Sequence, residues 1–149
     1  GQALGSPRMV NIVDVGVGVS QVLPVLVALL AAAPEDLVIV EQLELHLHPS
    51  AQAALGAIFA EAIQVGGRRI IVETHSAVLL RRLQTLVALD ELPADKLALH
   101  WFSRDAEGAT RVDTVQLDER GAYGDWPEDF SDVEAQVDQA YIAAATAKL

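Results

Sequence analysis

Residues 37–49 read LVIVEQLELHLHP, and their pattern decides the fold. Leu37 to Val40 is a short, wholly apolar run rich in β-branched residues, which predicts a parallel strand covered on both faces. Glu41 stands at its tip, and the polar stretch after it closes on His48-Pro49. Pro49 suits the first turn of a helix, and Leu55, Ile58, Phe59, Ala62 and Ile63 then recur at helical spacing until Gly66-Gly67 stops the run. Arg69 to Val72 repeats the buried-strand pattern and ends at Glu73-Thr74-His75-Ser76, after which Ala77 to Leu89 is helical again.

Upstream, Ser20 precedes an apolar helical run, with Pro24 near its first turn and Ala32-Ala33-Pro34-Glu35-Asp36 as the break. This predicts a helix over 20–33. Parallel strands joined by a helix carry both tips on one sheet edge, where ligands bind in open α/β sheets, so Glu41 and His75 are expected to face one crevice. A carboxylate at such a tip is where phosphate-handling α/β folds hold a magnesium ion. Beyond Pro93, Leu97 to Ser103 and Thr110 to Leu117 predict an antiparallel hairpin around the Asp105 to Gly108 turn. Residues 121–132 read as a loop anchored by Trp126-Pro127 and Phe130, and Val133 to Leu149 as a terminal helix. Residues 10–92 are expected to form one α/β lobe, with 93–149 as a hairpin and C-terminal extension of the same domain.

At 149 residues, 52% of them apolar, the chain is long enough for one domain that buries roughly two-thirds of its unfolded surface. The absence of cysteine excludes a disulfide framework and a thiolate metal site, and is compatible with the cytoplasm. The longest apolar stretch, Val22 to Ala33, contains Pro24 and falls short of the roughly 20 residues that cross a bilayer. A soluble, cytoplasmic protein with no membrane partner is expected. The net charge of −11 argues against this chain alone gripping a nucleic-acid backbone, because phosphate contacts need clustered Lys and Arg. The pairs Arg68/Arg69 and Arg81/Arg82 lie beside apolar elements and read as solvated flanks. Opening on Gly1 without a charged-then-apolar leader, the chain reads as processed or as a fragment.

Four segments in this order resemble the C-terminal lobe of an ATP-binding-cassette (ABC) type nucleotide-binding domain. The branch is the bacterial AAA ATPases related to SMC, RecF and the overcoming-lysogenization-defect proteins. Asp14 to Gln21, DVGVGVSQ, resembles the signature loop, in which small residues and helix-start amides favour phosphate. The resemblance makes Gly16, Gly18, Ser20 and Gln21 nucleotide-contacting, toward a site of the opposite protomer. Leu37 to Gln42 resembles the Walker B strand, with Glu41 as the magnesium-site acid and Gln42 where the catalytic Glu usually sits, and His48-Pro49-Ser50 resembles the loop that follows. Ile70 to Ser76, IIVETHS, resembles the switch strand whose histidine, here His75, contacts the γ-phosphate and the attacking water. Trp126 to Phe130 resembles the tail of a subgroup with a C-terminal domain of unknown function. The resemblance covers roughly residues 10–131. It implies a three-layer P-loop NTPase-like fold with parallel central strands, ATP and Mg2+ as cofactors, a homodimer, and work on DNA or a protein partner.

Two departures qualify these expectations. No G-x-x-x-x-G-K-[ST] loop occurs in the sequence, so the phosphate-gripping lysine and backbone cradle are missing; the expectation is an N-terminal Walker A lobe that lies outside this chain or was lost, and the chain alone should bind ATP poorly. Gln42 can orient a water but cannot take its proton as a carboxylate does, which leaves Glu44 as a substitute base. Leu43 also replaces the usual proline of this turn. Two other readings stand beside the ATPase: a catalytically silent oligomerisation or partner-binding module, and a zinc or manganese hydrolase built from Glu41, Glu44, His46, His48, Glu73 and His75. A nuclease core finds no convincing acidic arrangement in 97–149.

Overall fold

The computed structural model describes residues 17–124 together with 139, 140, 143 and 146. Gly16 and the Trp126 to Phe130 segment lie outside the described residues. So does most of the expected terminal helix, of which the four described positions are helical. The chain divides into two units between Ser76 and Ala77.

The first unit runs α1 (Val17–Ala31), β1 (Leu37–Glu41), α2 (Pro49–Gln64) and β2 (Arg69–Glu73). The two strands pair in parallel, with Leu37 beside Arg69 and Glu41 beside Glu73, while α1 packs on β1 and α2 on β2. Helix α2 follows its sequence signals closely. Pro49 is in its first turn, and His48 caps it by accepting a bond from the Ser50 N–H at Nδ1. After the helix, Gly67 takes the left-handed conformation at φ +61°, which glycine adopts without the steric cost of a Cβ.

Helix α1 starts three residues before the expected Ser20 boundary. Ser20 therefore lies inside the helix and does not cap it, and Pro24 sits in the interior, where it removes one helical N–H. The earlier start follows from packing. A Cβ on Gly18 would lie 3.0 Å from Leu47 Cδ2 and 3.1 Å from the His46 carbonyl oxygen, so the bare glycine lets the first turn close onto the 46–48 segment.

The expected solvated role of Arg68/Arg69 changes as well. Arg68 Nε donates to the Ala32 carbonyl, and Arg69 forks onto the Glu35 carbonyl at 3.1 and 2.8 Å. These bonds hold the α1–β1 connection, whose Glu35 is forced to φ +71°.

Apolar residues occupy both faces of the strands, but the structure covers one of them. Val40 is buried and Val38, Ile70 and Val72 are half-buried, whereas Leu37, Ile39 and Ile71 on the other face are 50%, 62% and 54% exposed. The core of this unit gathers Leu29, Val40, Leu43, Leu55, Phe59 and Ala60. Leu43, in the turn after β1, is thus a core side chain.

The second unit holds α3 (Ala77–Ala88), β3 (Ala98–Arg104) and β4 (Thr110–Gln116). The strands form the expected antiparallel hairpin, with Trp101 beside Asp113. Its turn, Asp105-Ala-Glu-Gly-Ala109, is built on Asp105 Oδ1 accepting from the Glu107 and Ala109 N–H groups. The same construction recurs unannounced at Asp118-Glu-Arg-Gly-Ala122, where Asp118 Oδ1 accepts from Arg120 and Ala122. There Gly121 is left-handed at φ +70°, and a Cβ on it would run into the Gln84 carbonyl.

Beyond that turn, burial pushes the Tyr123 phenol up to about 12, against an opposing pull from Arg81. The neutral phenol is thus favoured in the folded unit. Its contribution to stability is fully present below pH 10 and is lost as pH rises from there through about 12. Urea midpoints measured from pH 9 to 12 should fall across that window in the wild type, and Tyr123→Phe should flatten the slope.

Candidate functional site

The parallel register brings the two strand tips side by side. Glu41 and Glu73 are adjacent residues on the same exposed face that carries Ile39 and Ile71, because paired residues of a parallel ladder point to one side. Gln42 leaves the strand at φ +45°, a costly conformation for a non-glycine residue. Its N–H donates to the Glu73 carbonyl at 2.9 Å, and its side-chain amide makes a long 3.5 Å contact with Glu73 Oε1. The amide is therefore held against a carboxylate.

From Gln42 the chain folds into tight turns, Leu45 N–H to Gln42 O and Leu47 N–H to Glu44 O. These send Glu44 inward. Only 7% exposed, Glu44 accepts a 2.6 Å bond at Oε1 from the His75 N–H. Its Oε2 is buried without a hydrogen-bond partner among the described residues. Gln52 of α2 ties the same turns down: Nε2 donates to the Leu47 carbonyl at 3.0 Å, and Oε1 accepts from the Ser76 hydroxyl at 2.6 Å. His75 itself is exposed.

Two bonded pairs thus stand after the strand ends, Gln42 with Glu73 and Glu44 with the His75 backbone, and Glu41 is in register with Glu73. Gly18, Ser20 and Gln21 stand on α1. Gly18 is engaged against His46 and Leu47, Ser20 is exposed, and Gln21 Oε1 is buried without a partner among the described residues. Between α1 and the 46–51 segment lies an open, largely apolar cleft of about 420 Å³.

Glu73, a candidate ligand of the hydrolase reading, stands instead beside Glu41, and one further contributor, Gln52, carries no sequence signal. The amphipathic period of α2 does not single out Gln52, whose bonds are to residues 5 and 24 positions away.

The donor set discriminates among metals. Among the described residues no three His, Asp or Glu side chains converge to hold an ion, and His48 is committed to capping α2. A zinc centre of three or four side-chain ligands is therefore not assembled among the described residues. Magnesium asks less of the protein, one or two carboxylates with the remainder from phosphate and water, and the exposed Glu41/Glu73 pair fits that demand.

Charge also matters. Among the described residues of the first unit, Arg68 and Arg69 are the basic side chains, and both lie at the opposite end of β2, bonded to carbonyls. The tip carries the two carboxylates, and no Lys or Arg among the described residues of the first unit stands there to meet an anionic phosphate. The two buried acceptor atoms, Glu44 Oε2 and Gln21 Oε1, likewise ask for hydrogen-bond donors, which a phosphate cannot supply.

Among the described residues, no helix is long and apolar enough to cross a membrane. A protein-family model described as "AAA domain, putative AbiEii toxin, Type IV TA system" matches residues 6–81. No curated protein and no solved structure matches the chain.

Proposed function

The chain belongs to this AAA-domain family, the match spanning just over half of its length, and from that premise we propose that it is the C-terminal lobe of an ABC-type, magnesium-dependent ATPase. The observation that carries the reading is the acidic pair Glu41/Glu73 at the tips of paired parallel strands, with Gln42 bonded to Glu73 and the His75 backbone bonded to Glu44. In this reading Glu41 is the Walker B acid and would hold a magnesium ion, with Glu73 beside it. The chemistry such an ion would supply there is compensation of phosphate charge.

Gln42, pinned between strand tip and Glu73, orients the attacking water, and the exposed His75 reaches toward the γ-phosphate. Gly18 and Ser20 present the start of α1 to the site of a second protomer in a homodimer.

The Walker A lobe is the partner that the surface calls for. Parallel sheets bury both faces, yet Leu37, Ile39 and Ile71 lie open on the side that also bears Glu41 and Glu73. A lobe that covers this apolar face sits next to the carboxylates, and its P-loop lysine supplies the cation that the acidic tip lacks. A three-layer P-loop NTPase-like arrangement follows from that closure, and a cytoplasmic setting suits ATP as the ligand.

A titration tests the half-site reading. The 149-residue chain alone is expected to show no micromolar ATP binding, with magnesium-dependent binding and turnover arising when a P-loop-bearing segment is added. Micromolar affinity of the chain alone contradicts it. Binding of the segment with no nucleotide response instead favours a catalytically silent assembly module.

A further inference from the structure

We infer that Glu44 is the positioning residue for His75, a buried carboxylate that fixes the loop after β2 from the turn after β1. The inference deepens the nucleotide-site reading above and rests on it.

The substitute-base role does not suit the geometry. A base must reach the proton it removes, but Glu44 is directed inward, with Oε1 taken up by the His75 backbone N–H at 2.6 Å. As plain structural glue Glu44 is also a poor choice. Burying a carboxylate with one oxygen bonded and the other orphaned costs stability that an apolar side chain of similar volume would not.

What the carboxylate offers over an apolar side chain is direction. A charge-assisted acceptor fixes the N–H vector of His75, and with it the placement of the imidazole at the strand tip. The anchor is firm because the turn bearing Glu44 is held independently, by Leu47 N–H on the Glu44 carbonyl and by Gln52 on the Leu47 carbonyl. Gln52 also grips the Ser76 hydroxyl, so the residues on either side of the peptide link between positions 75 and 76 are both tied back to the first turn.

Nitrogen-15 spectra of the nucleotide-free chain test this directly. In wild type the His75 amide should be exchange-protected, and Glu44→Met should lower that protection by about tenfold or more. Glu44→Gln, whose amide oxygen can accept the same bond, should restore most of it. Because Met fills the volume without a buried charge, the thermal midpoint of Glu44→Met should stay level or rise, which a merely structural role would not produce. An unchanged His75 amide in Glu44→Met, or a lowered midpoint with global spectral change, overturns the inference. In the protein assembled with its P-loop segment, the Glu44→Met/His75→Ala double variant should turn over no more slowly than His75→Ala alone. Additive losses overturn the inference as well. Absence of turnover in the wild type counts against the nucleotide reading alone, and the spectra then decide the positioning role.

Discussion

Glu41→Ala is expected to lower magnesium-dependent ATP turnover of the assembled protein by on the order of 10²-fold or more, with little change in folding. The argument starts from where the carboxylate stands. Glu41 is the last residue of β1, exposed and in register with Glu73, so truncating it removes charge from the tip without opening the core. Exposed substitutions of this kind shift stability by about 0.5 kcal/mol or less. The loss should therefore show as a raised magnesium requirement and a lowered rate in a protein of unchanged melting temperature. Rates measured over a range of magnesium concentrations check it. Should Glu73→Gln produce that effect while Glu41→Ala does not, the ligand role passes to Glu73, and a magnesium dependence unchanged in both variants removes the proposed metal site altogether.

The second large effect belongs to the scaffold. Phe59→Ala is expected to destabilise the protein by about 3–5 kcal/mol, the usual cost of emptying a buried aromatic site. Phe59 is 2% exposed on α2, near Leu55 and Ala60 in the sequence of the same buried stripe. Total stabilities of domains run only about 5–15 kcal/mol, so this variant approaches the unfolded threshold. Helix α2 also carries Gln52 and begins at the His48 cap, and loosening it should free the turns that hold Glu44. Urea denaturation of Phe59→Ala beside the exposed control Ala54→Ser separates the two expectations: a large midpoint shift for the first, almost none for the second. Comparable midpoints would mean that α2 is not the keystone of the first unit.

Much of this was legible in the sequence because it is local. The two β-branched runs, Pro49 with the Gly66-Gly67 stop, and the Asp105 to Gly108 turn each record a backbone preference within a few residues, and the structure has elements at all of them. The start of α1 was misplaced because Ser20 is a good capping residue in isolation, whereas the bare Gly18 approaching the His46 carbonyl is a tertiary fact. The Asp118 to Ala122 turn repeats the Asp-x-x-Gly-Ala motif of the hairpin turn, a local signal written in the sequence.

By itself the sequence determined the order of helices and strands, the placing of Glu41 and His75 at strand tips, and the lack of a P-loop. These follow from periodicity, turn chemistry and the presence or absence of a motif, all carried by neighbouring residues. Only the tertiary structure decided that Glu73 joins Glu41, that Glu44 turns inward to the His75 backbone, and that one face of the parallel pair stays bare. Each of these depends on register and on bonds spanning about thirty residues, and no short stretch of chain encodes which distant partner a side chain will meet.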